Sequence, residues 1–279
     1  MRTVLITGAT SGFGLLLVKE FLNNGDHVIA TGRNLNQRQD ILSEERRLYT
    51  QRLIELDLDV TSSEQIEKIC TAMPKTLDIL INNAGYGLWG ALENLDAKEI
   101  RLQIETNLMA PIFVTKALLP ILRKSKAKVF NISSAFGFVG FPLGSIYCAS
   151  KFGLEGLTES LAYELSSFGV QFCAVEPGGY RTGFLKNSQW SRKQYGEYTD
   201  AISNFENMQK KIGQRKRYQD PKEVAQGVLK LSLKEKIPLR IRFGRDSKFT
   251  WFLKYLLPTQ IFFALTNRVY TKILFKQVT

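Results

Sequence analysis

The sequence predicts an α/β fold, a doubly wound parallel sheet in a single domain over residues 1–279. Three observations point there. Short apolar runs alternate with longer helical patterns, which implies parallel crossover units. The runs are apolar at nearly every position, as strands are when both faces are covered. The first run breaks into glycines immediately before a helical pattern, as at a ligand-binding edge of such a sheet.

Residues 3–7 read as the first strand and residues 12–24 as the helix after it. Residues 27–31 and 52–56 are the next strands, and a helix opens near Ser62 or Ser63. The segments DILINNAG (78–85), KVFNISS (128–134), VQFCAVEPG (170–178) and PLRIRFG (238–244) supply four more strands. Two stretches depart from the alternation. Residues 186–217 are polar and helical in pattern, and residues 249–279 form an aromatic-rich helical extension. Pro258 divides that extension into two short helices.

Composition narrows the function classes. With 44% hydrophobic and 23% charged residues, bulk disorder is excluded. The three cysteines, Cys70, Cys148 and Cys173, form no CxxC pair. A disulfide framework and a cysteine metal site are therefore not expected, and a reducing, cytoplasmic setting fits. The one histidine, His27, rules out histidine triads elsewhere in the chain and any multi-histidine metal site. Glycines from Gly8 onward interrupt the first apolar run before it reaches signal-peptide length. No uncharged apolar stretch reaches the roughly 18 residues of a membrane span. Net charge is +12, and residues 236–279 hold nine bases against Asp246. That imbalance favours an anionic surface. Nucleic acid is not the expected partner, because no nucleic-acid motif accompanies the charge.

The motifs then define a chemistry. Thr7-Gly8-Ala9-Thr10-Ser11-Gly12-Phe13-Gly14 places glycines between strand and helix, where backbone N–H groups approach a pyrophosphate. At the end of the second strand an acid would hold the ribose hydroxyl of NAD. Here Arg33 stands there and no acid follows until Asp40, so NADP(H) is expected over NAD(H). Tyr147 and Lys151 form a Y-x-x-x-K pair on one helical face. A free tyrosine has a pKa of about 10. A neighbouring ammonium stabilises its phenolate, so the pair can exchange a proton with an alcohol or carbonyl oxygen. Ser134 lies 13 residues upstream, at the carboxyl edge of the fifth strand.

Taken together, the glycine loop, Asn82-Asn83-Ala84-Gly85, Asn107, Ser134, Tyr147/Lys151 and Pro177-Gly178 resemble the short-chain dehydrogenase/reductase family in order and spacing. The resemblance covers about residues 1–185 closely and runs more weakly to about 245. YCASKFGLEGLTESLAYEL followed by FGVQFCAVEPG is similar to the 17β-hydroxysteroid and retinol dehydrogenase-like branch. The resemblance implies a Rossmann-like fold. It implies Tyr147 as general acid/base, with Lys151 lowering its pKa and binding the nicotinamide ribose. Ser134 would hydrogen-bond the substrate oxygen, with Ser133 as the neighbouring alternative, and Asn107 would hold a proton-relay water. Gly8, Thr10, Ser11, Gly12, Phe13, Gly14, Asn83, Ala84 and Gly85 would line the cofactor. Asp59 and Val60 would hold the adenine, and Pro177, Gly178 and Thr182 the carboxamide. Ser11 departs from relatives that carry a base there, which leaves the 2′-phosphate mainly to Arg33.

By the same resemblance, substrate contacts fall on segments that carry Phe136, Phe138, Phe141, Leu143, Tyr180, Phe184 and Leu185. Their apolar character suggests a steroid-, retinoid- or lipid-like hydroxyl or carbonyl compound. By the resemblance residues 186–217 would form a substrate lid, and its Lys210, Lys211, Arg215, Lys216 and Arg217 leave a 3-oxoacyl thioester as an alternative substrate. A cofactor-binding regulator without turnover is a third reading, against which the intact Asn107/Ser134/Tyr147/Lys151 set speaks. Self-assembly into a homo-oligomer is compatible with all three. The extension, with Lys254, Arg268, Lys272 and Lys276 among apolar residues and no acid, suits peripheral membrane contact. Covering the substrate pocket or packing on a second subunit are its alternatives.

Overall fold

Strand residues alternate between two apolar layers, and that alternation builds the molecule. In a computed structural model that describes residues 1–37, 40–193, 196–214 and 219–275, the elements follow one another as a wound α/β chain. They are β1 (Thr3–Ile6), α1 (Gly12–Asn23), β2 (His27–Gly32), α2 (Ser43–Leu48), β3 (Leu53–Asp57), α3 (Ser63–Ala72) and β4 (Ile79–Asn82). The middle of the chain gives β5 (Leu88–Trp89), α4 (Ala97–Ile104), α5 (Ala110–Ser125), β6 (Lys128–Ile132), α6 (Ser145–Leu165) and β7 (Gln171–Pro177). The last third gives α7 (Phe184–Asn187), β8 (Gln189–Trp190), α8 (Thr199–Gln214), α9 (Lys222–Ser232), β9 (Arg240–Phe243), α10 (Arg245–Leu256) and α11 (Thr259–Leu274).

Seven strands form one parallel sheet in the order β3-β2-β1-β4-β6-β7-β9. Val4 and Ile6 of β1, Ile79 and Ile81 of β4, and Cys173 and Val175 of β7 face one layer, with Leu17 and Phe21 of α1 and Val224 and Val228 of α9. The intervening Leu5, Leu80, Val129 and Phe172 face the other, with Ile66 and Ile69 of α3 and Val114, Leu118 and Leu122 of α5. The strand direction of travel reverses between β1 and β4, which opens the crevice where ligands bind in such sheets.

The seven expected strands are all present, each with ends shifted by a few residues or fewer. The two-residue pair β5 and β8 was not expected, because two residues carry no periodicity. The extension divides at Pro258, but its first helix starts at Arg245, before the expected residue 249, and its second is 16 residues long. By length and composition the run Ala97–Ser125 could cross a bilayer, although it is not free of charged residues. It is a helix of the layer on the sheet, with Val114, Leu118 and Leu122 buried. Between α4 and α5 it widens into a five-residue π turn, Glu105–Met109. The expected lid falls on β8 and α8, and Arg215, Lys216, Arg217 and Lys276 lie outside the described residues, as do the side chains of Leu185, Lys210 and Lys211.

A buried polar chain ties this half of the sheet to its helices. Asn82 Nδ2 on β4 donates to Thr115 Oγ1 on α5 at 3.0 Å and to Asn131 Oδ1 on β6 at 2.8 Å. Asn131 Nδ2 donates in turn to Thr158 Oγ1 on α6 at 2.8 Å. All four residues are buried, so each lost partner leaves a group that water cannot reach. Asn131→Leu is therefore expected to cost about 1–3 kcal/mol for each orphaned group. Urea denaturation should show a lower midpoint at unchanged slope, and an unchanged midpoint would contradict this account.

Candidate active site

Every strand of the parallel sheet ends on the same side, and there a cavity of about 670 Å³ opens. At one end lies the β1–α1 turn. Gly8 (φ +65°) and Gly12 (φ +54°) adopt the left-handed conformation that glycine tolerates. A Cβ on Gly14 would stand 2.1 Å from the Gly8 carbonyl oxygen and 2.6 Å from Asn83 Nδ2. Gly14 thus allows close packing and does not itself line the cavity, unlike Gly8, Thr10, Ser11, Gly12 and Phe13. The Ser11 side chain makes no capping bond to α1. The first-turn amides of that helix are left without an intrahelical partner, which suits a bound phosphate.

The rest of that half is arranged around the turn. Asn83 Nδ2 donates to the carbonyls of Thr7 (2.9 Å) and Gly8 (3.1 Å), and the amides of Asn83 and Ala84 donate to Thr7 Oγ1. Asp59, Val60, Ala84 and Gly85 line the cavity, as does the exposed Arg33. Asp57, beside Gly32 in the sheet, accepts from the Leu35 amide at 2.6 Å and does not line it. Pro177, Gly178 and Thr182 close the opposite wall, with Thr182 Cβ 3.6 Å from the position a Cβ on Gly12 would take. Asp246 of α10 accepts from the Gly179 amide at 2.6 Å and clamps this loop. The sequence reading counted Asp246 only as a charge. Its distance along the chain from Gly179 hid its role.

Tyr147 and Lys151 stand on the buried face of α6, one turn apart. That face also carries Glu155 and Thr158, so the helix has little apolar stripe to advertise it. The Lys151 ammonium donates to the Ile132 carbonyl at the end of β6, at 2.8 Å, and lies 5.9 Å from the Tyr147 ring centre. Burial brings Lys151 down to about 8, opposed by the Glu155 charge. Burial also pushes the Tyr147 phenol up, and the Ser134 hydroxyl works against that rise. Ser134 Oγ accepts from the Phe136 amide at 3.1 Å, which leaves its own proton to donate elsewhere. Ser133 also lines the cavity and stands beside the Glu155 carboxyl.

Asn107 is not a cavity residue. Its fully buried side chain donates to the Tyr86 carbonyl (2.9 Å) and accepts from the Tyr86 amide (3.1 Å). It holds the backbone next to Gly85, just behind Lys151, whose Nζ is 3.8 Å from where a Cβ on Gly85 would stand.

Beyond Tyr147 the cavity is aromatic. The Tyr147 ring centre lies 5.4 Å from that of Trp89 and 5.7 Å from that of Phe184. Phe141 is 5.1 Å from Phe205 and 5.2 Å from Tyr270. Phe136, Phe141, Tyr180 and Phe184 line the cavity as expected. Phe138 does not. It packs with Val139 and Phe262 beneath the C-terminal helices. Leu143 is buried beside the cage at φ +63°, a strained conformation for leucine, just ahead of α6. Trp89, Phe205, Met208 and Tyr270 also line the cavity, and no motif marks them.

A sequence profile described as short chain dehydrogenase matches residues 2–193. The chain belongs to this family. It is accordingly an oxidoreductase acting on hydroxyl or carbonyl groups with a nicotinamide cofactor. Among relatives of this dehydrogenase, a 3-ketodihydrosphingosine reductase from Bacteroides thetaiotaomicron is 32% identical, over 87% of this chain and 88% of that one. Human retinol dehydrogenase 8 is 32% identical, over 86% of this chain and 80% of its own. The crystal structure of a short-chain dehydrogenase from Streptomyces avermitilis matches with a TM-score of 0.80 at 30% identity, covering 98% of this chain and 99% of the other.

The buried ammonium of this dehydrogenase yields a stability signature. Folding lowers Lys151 from 10.5 to about 8. Between those values the folded protein binds fewer protons than the unfolded chain, so stability rises with pH there. The gap corresponds to about 3 kcal/mol. Wild type is expected to gain about that much relative to Lys151→Met between about pH 7 and about pH 10.5, measured by urea denaturation. A difference between the two proteins that does not change with pH would show that the ammonium is not desolvated.

Proposed function

We propose that this dehydrogenase interconverts a hydroxyl and a carbonyl on a hydrophobic, steroid-, retinoid- or lipid-like substrate, with NADP(H) preferred over NAD(H). The observation that carries the reading is the single cavity with Arg33 at one end, Ser134, Tyr147 and Lys151 in the middle, and an aromatic cage at the other. The names of the sphingosine reductase and the retinol dehydrogenase support a lipid-like substrate.

A nicotinamide, when bound, gives or takes the hydride. In the reducing direction Tyr147 donates its proton to the carbonyl oxygen, and Ser134 donates a hydrogen bond to the same oxygen. The Lys151 ammonium favours the phenolate left behind, which offsets the rise that burial imposes on the phenol. Asn107 acts one layer back by fixing the backbone at Tyr86. The ends of β1, β3, β4 and β7, which line the cavity, would hold the dinucleotide, and Arg33 would meet the 2′-phosphate. We place the protein in the cytoplasm. The exposed Leu102, Phe113 and Phe152 of α4, α5 and α6 offer a surface for a second copy.

NADPH oxidation with steroid, retinoid, long-chain ketone and 3-oxoacyl thioester substrates tests the reading. Turnover confined to acyl thioesters would replace it with the alternative, and absence of turnover with all classes would favour a regulator. Arg33→Ala is expected to reduce the NADPH-over-NADH preference by about tenfold or more, since charge-assisted bonds contribute about 1.5–3 kcal/mol. Cofactor titrations read this directly, and an unchanged preference would remove Arg33 from the role. Tyr147→Phe should abolish turnover and leave NADPH affinity within a few-fold of wild type. Retention of wild-type kcat would overturn the assignment of the proton donor.

A further inference from the structure

We infer that the outer surface of α10 and α11 docks on an anionic lipid membrane. On α10, Phe249 (63% exposed), Phe252 (53%) and Leu256 (62%) recur at spacings of three and four, along one side of the helix. On α11, Leu265 (51%), Val269 (51%) and Ile273 (44%) recur every fourth residue. The two helices are joined only by residues 257–258 and pack on each other through Phe262, Trp251 and Leu253, so the two rows are neighbours in the fold. Of the 19 large apolar side chains exposed among the described residues, nine fall between Phe249 and Ile273. Such concentration is unlike the scattered apolar residues of an ordinary surface.

Charge identifies the occupant. From Ser247 to the last residue the sequence contains no acid. Lys248, Arg268 and Lys272 are exposed beside the apolar rows. Lys254 turns inward, with its ammonium on the Phe138 carbonyl. A second copy packed on the same surface would bring these cations against their own images with no carboxylate to pair them. An acidic headgroup layer over hydrocarbon complements both features: apolar side chains enter the acyl boundary and the cations remain at headgroup level.

The inner side of the same helices is already engaged. Phe262 and Leu274 are buried, and Thr250 and Tyr270 line the cavity. The helices thus form a wall with the cavity behind it and, on this reading, lipid in front. The docking holds whatever compound the enzyme reduces.

The test is flotation of the full-length protein with phosphatidylcholine vesicles, with and without phosphatidylserine, at low and high salt. Wild type should float with the phosphatidylserine vesicles at low salt and be released by salt. Arg268→Glu with Lys272→Glu, and separately Leu265→Glu with Val269→Glu, should each lower the bound fraction at least tenfold. The altered side chains are exposed, and circular dichroism with NADPH binding verifies that both proteins fold. Failure of wild type to float with phosphatidylserine vesicles overturns the proposal, as does wild-type binding by both variants. A wild-type dimer that Leu265→Glu with Val269→Glu converts to monomer overturns it in favour of self-association.

Discussion

The structure is organised around a buried ammonium. Lys151 must stand at the floor of the cavity, between the end of β6 and the middle of α6, where water does not follow it. A cation in that position is unfavourable unless other groups answer it. The Ile132 carbonyl answers directly and Glu155 does so one turn along the same helix. Glu155 in turn belongs to a set that reaches the sheet edge. Arg240 meets Glu155 at 3.1 Å and Glu159 at 2.5 Å, and Arg242 meets Glu176 at 2.8 Å while lying 4.0 Å over the Trp251 ring. Burial and mutual repulsion raise Glu176, with its two arginines opposing. Three cations and three carboxylates thus link α6, β7, edge strand and C-terminal helix. The last strand is short, but it carries two of the three cations, which explains why arginines alternate along it.

The fold was legible because it rests on local signals. Strand runs apolar on both faces, glycines at the first turn and Pro258 in the extension each have one physical meaning. The polar set at the centre of the cavity was legible for the same reason: Tyr147 and Lys151 share a helical face, and Ser134 ends a strand. What remained hidden was built from distance. Trp89, Phe205 and Tyr270 come from β5, α8 and α11 and meet only after the chain has wound up. Asp246 clamps a loop 67 residues away. Phe138 was misjudged since a run of aromatics after β6 does not tell which ring turns to the cavity and which to the C-terminal helices. Asn107 was expected to hold a water, but its buried amide serves the Tyr86 backbone.

The two halves of the cavity differ in how they are made. The half around the β1–α1 turn is backbone: turns, strand ends and helix amides, with glycines at left-handed and close-packed positions. The half beyond Tyr147 is side chains, drawn from loops and from helices outside the sheet. Aromatic rings in edge and tilted contact fill space without fixed polar demands. Such a half can change its occupant while the other half keeps its geometry.

The π turn at Glu105–Met109 has a consequence for how this chain can vary. A wide turn places one more residue in the helix than a regular winding would. Deleting a single residue of α4 while the wide turn stayed would rotate all that follows by about 100°. Val114, Leu118 and Leu122 would leave the sheet, and Asn107 would no longer face Tyr86. The segment between Asp96 and Ser125 is therefore constrained in length as tightly as the cavity is constrained in chemistry. Insertions and deletions in this region have to come in whole turns, or else fall in the loops at either end.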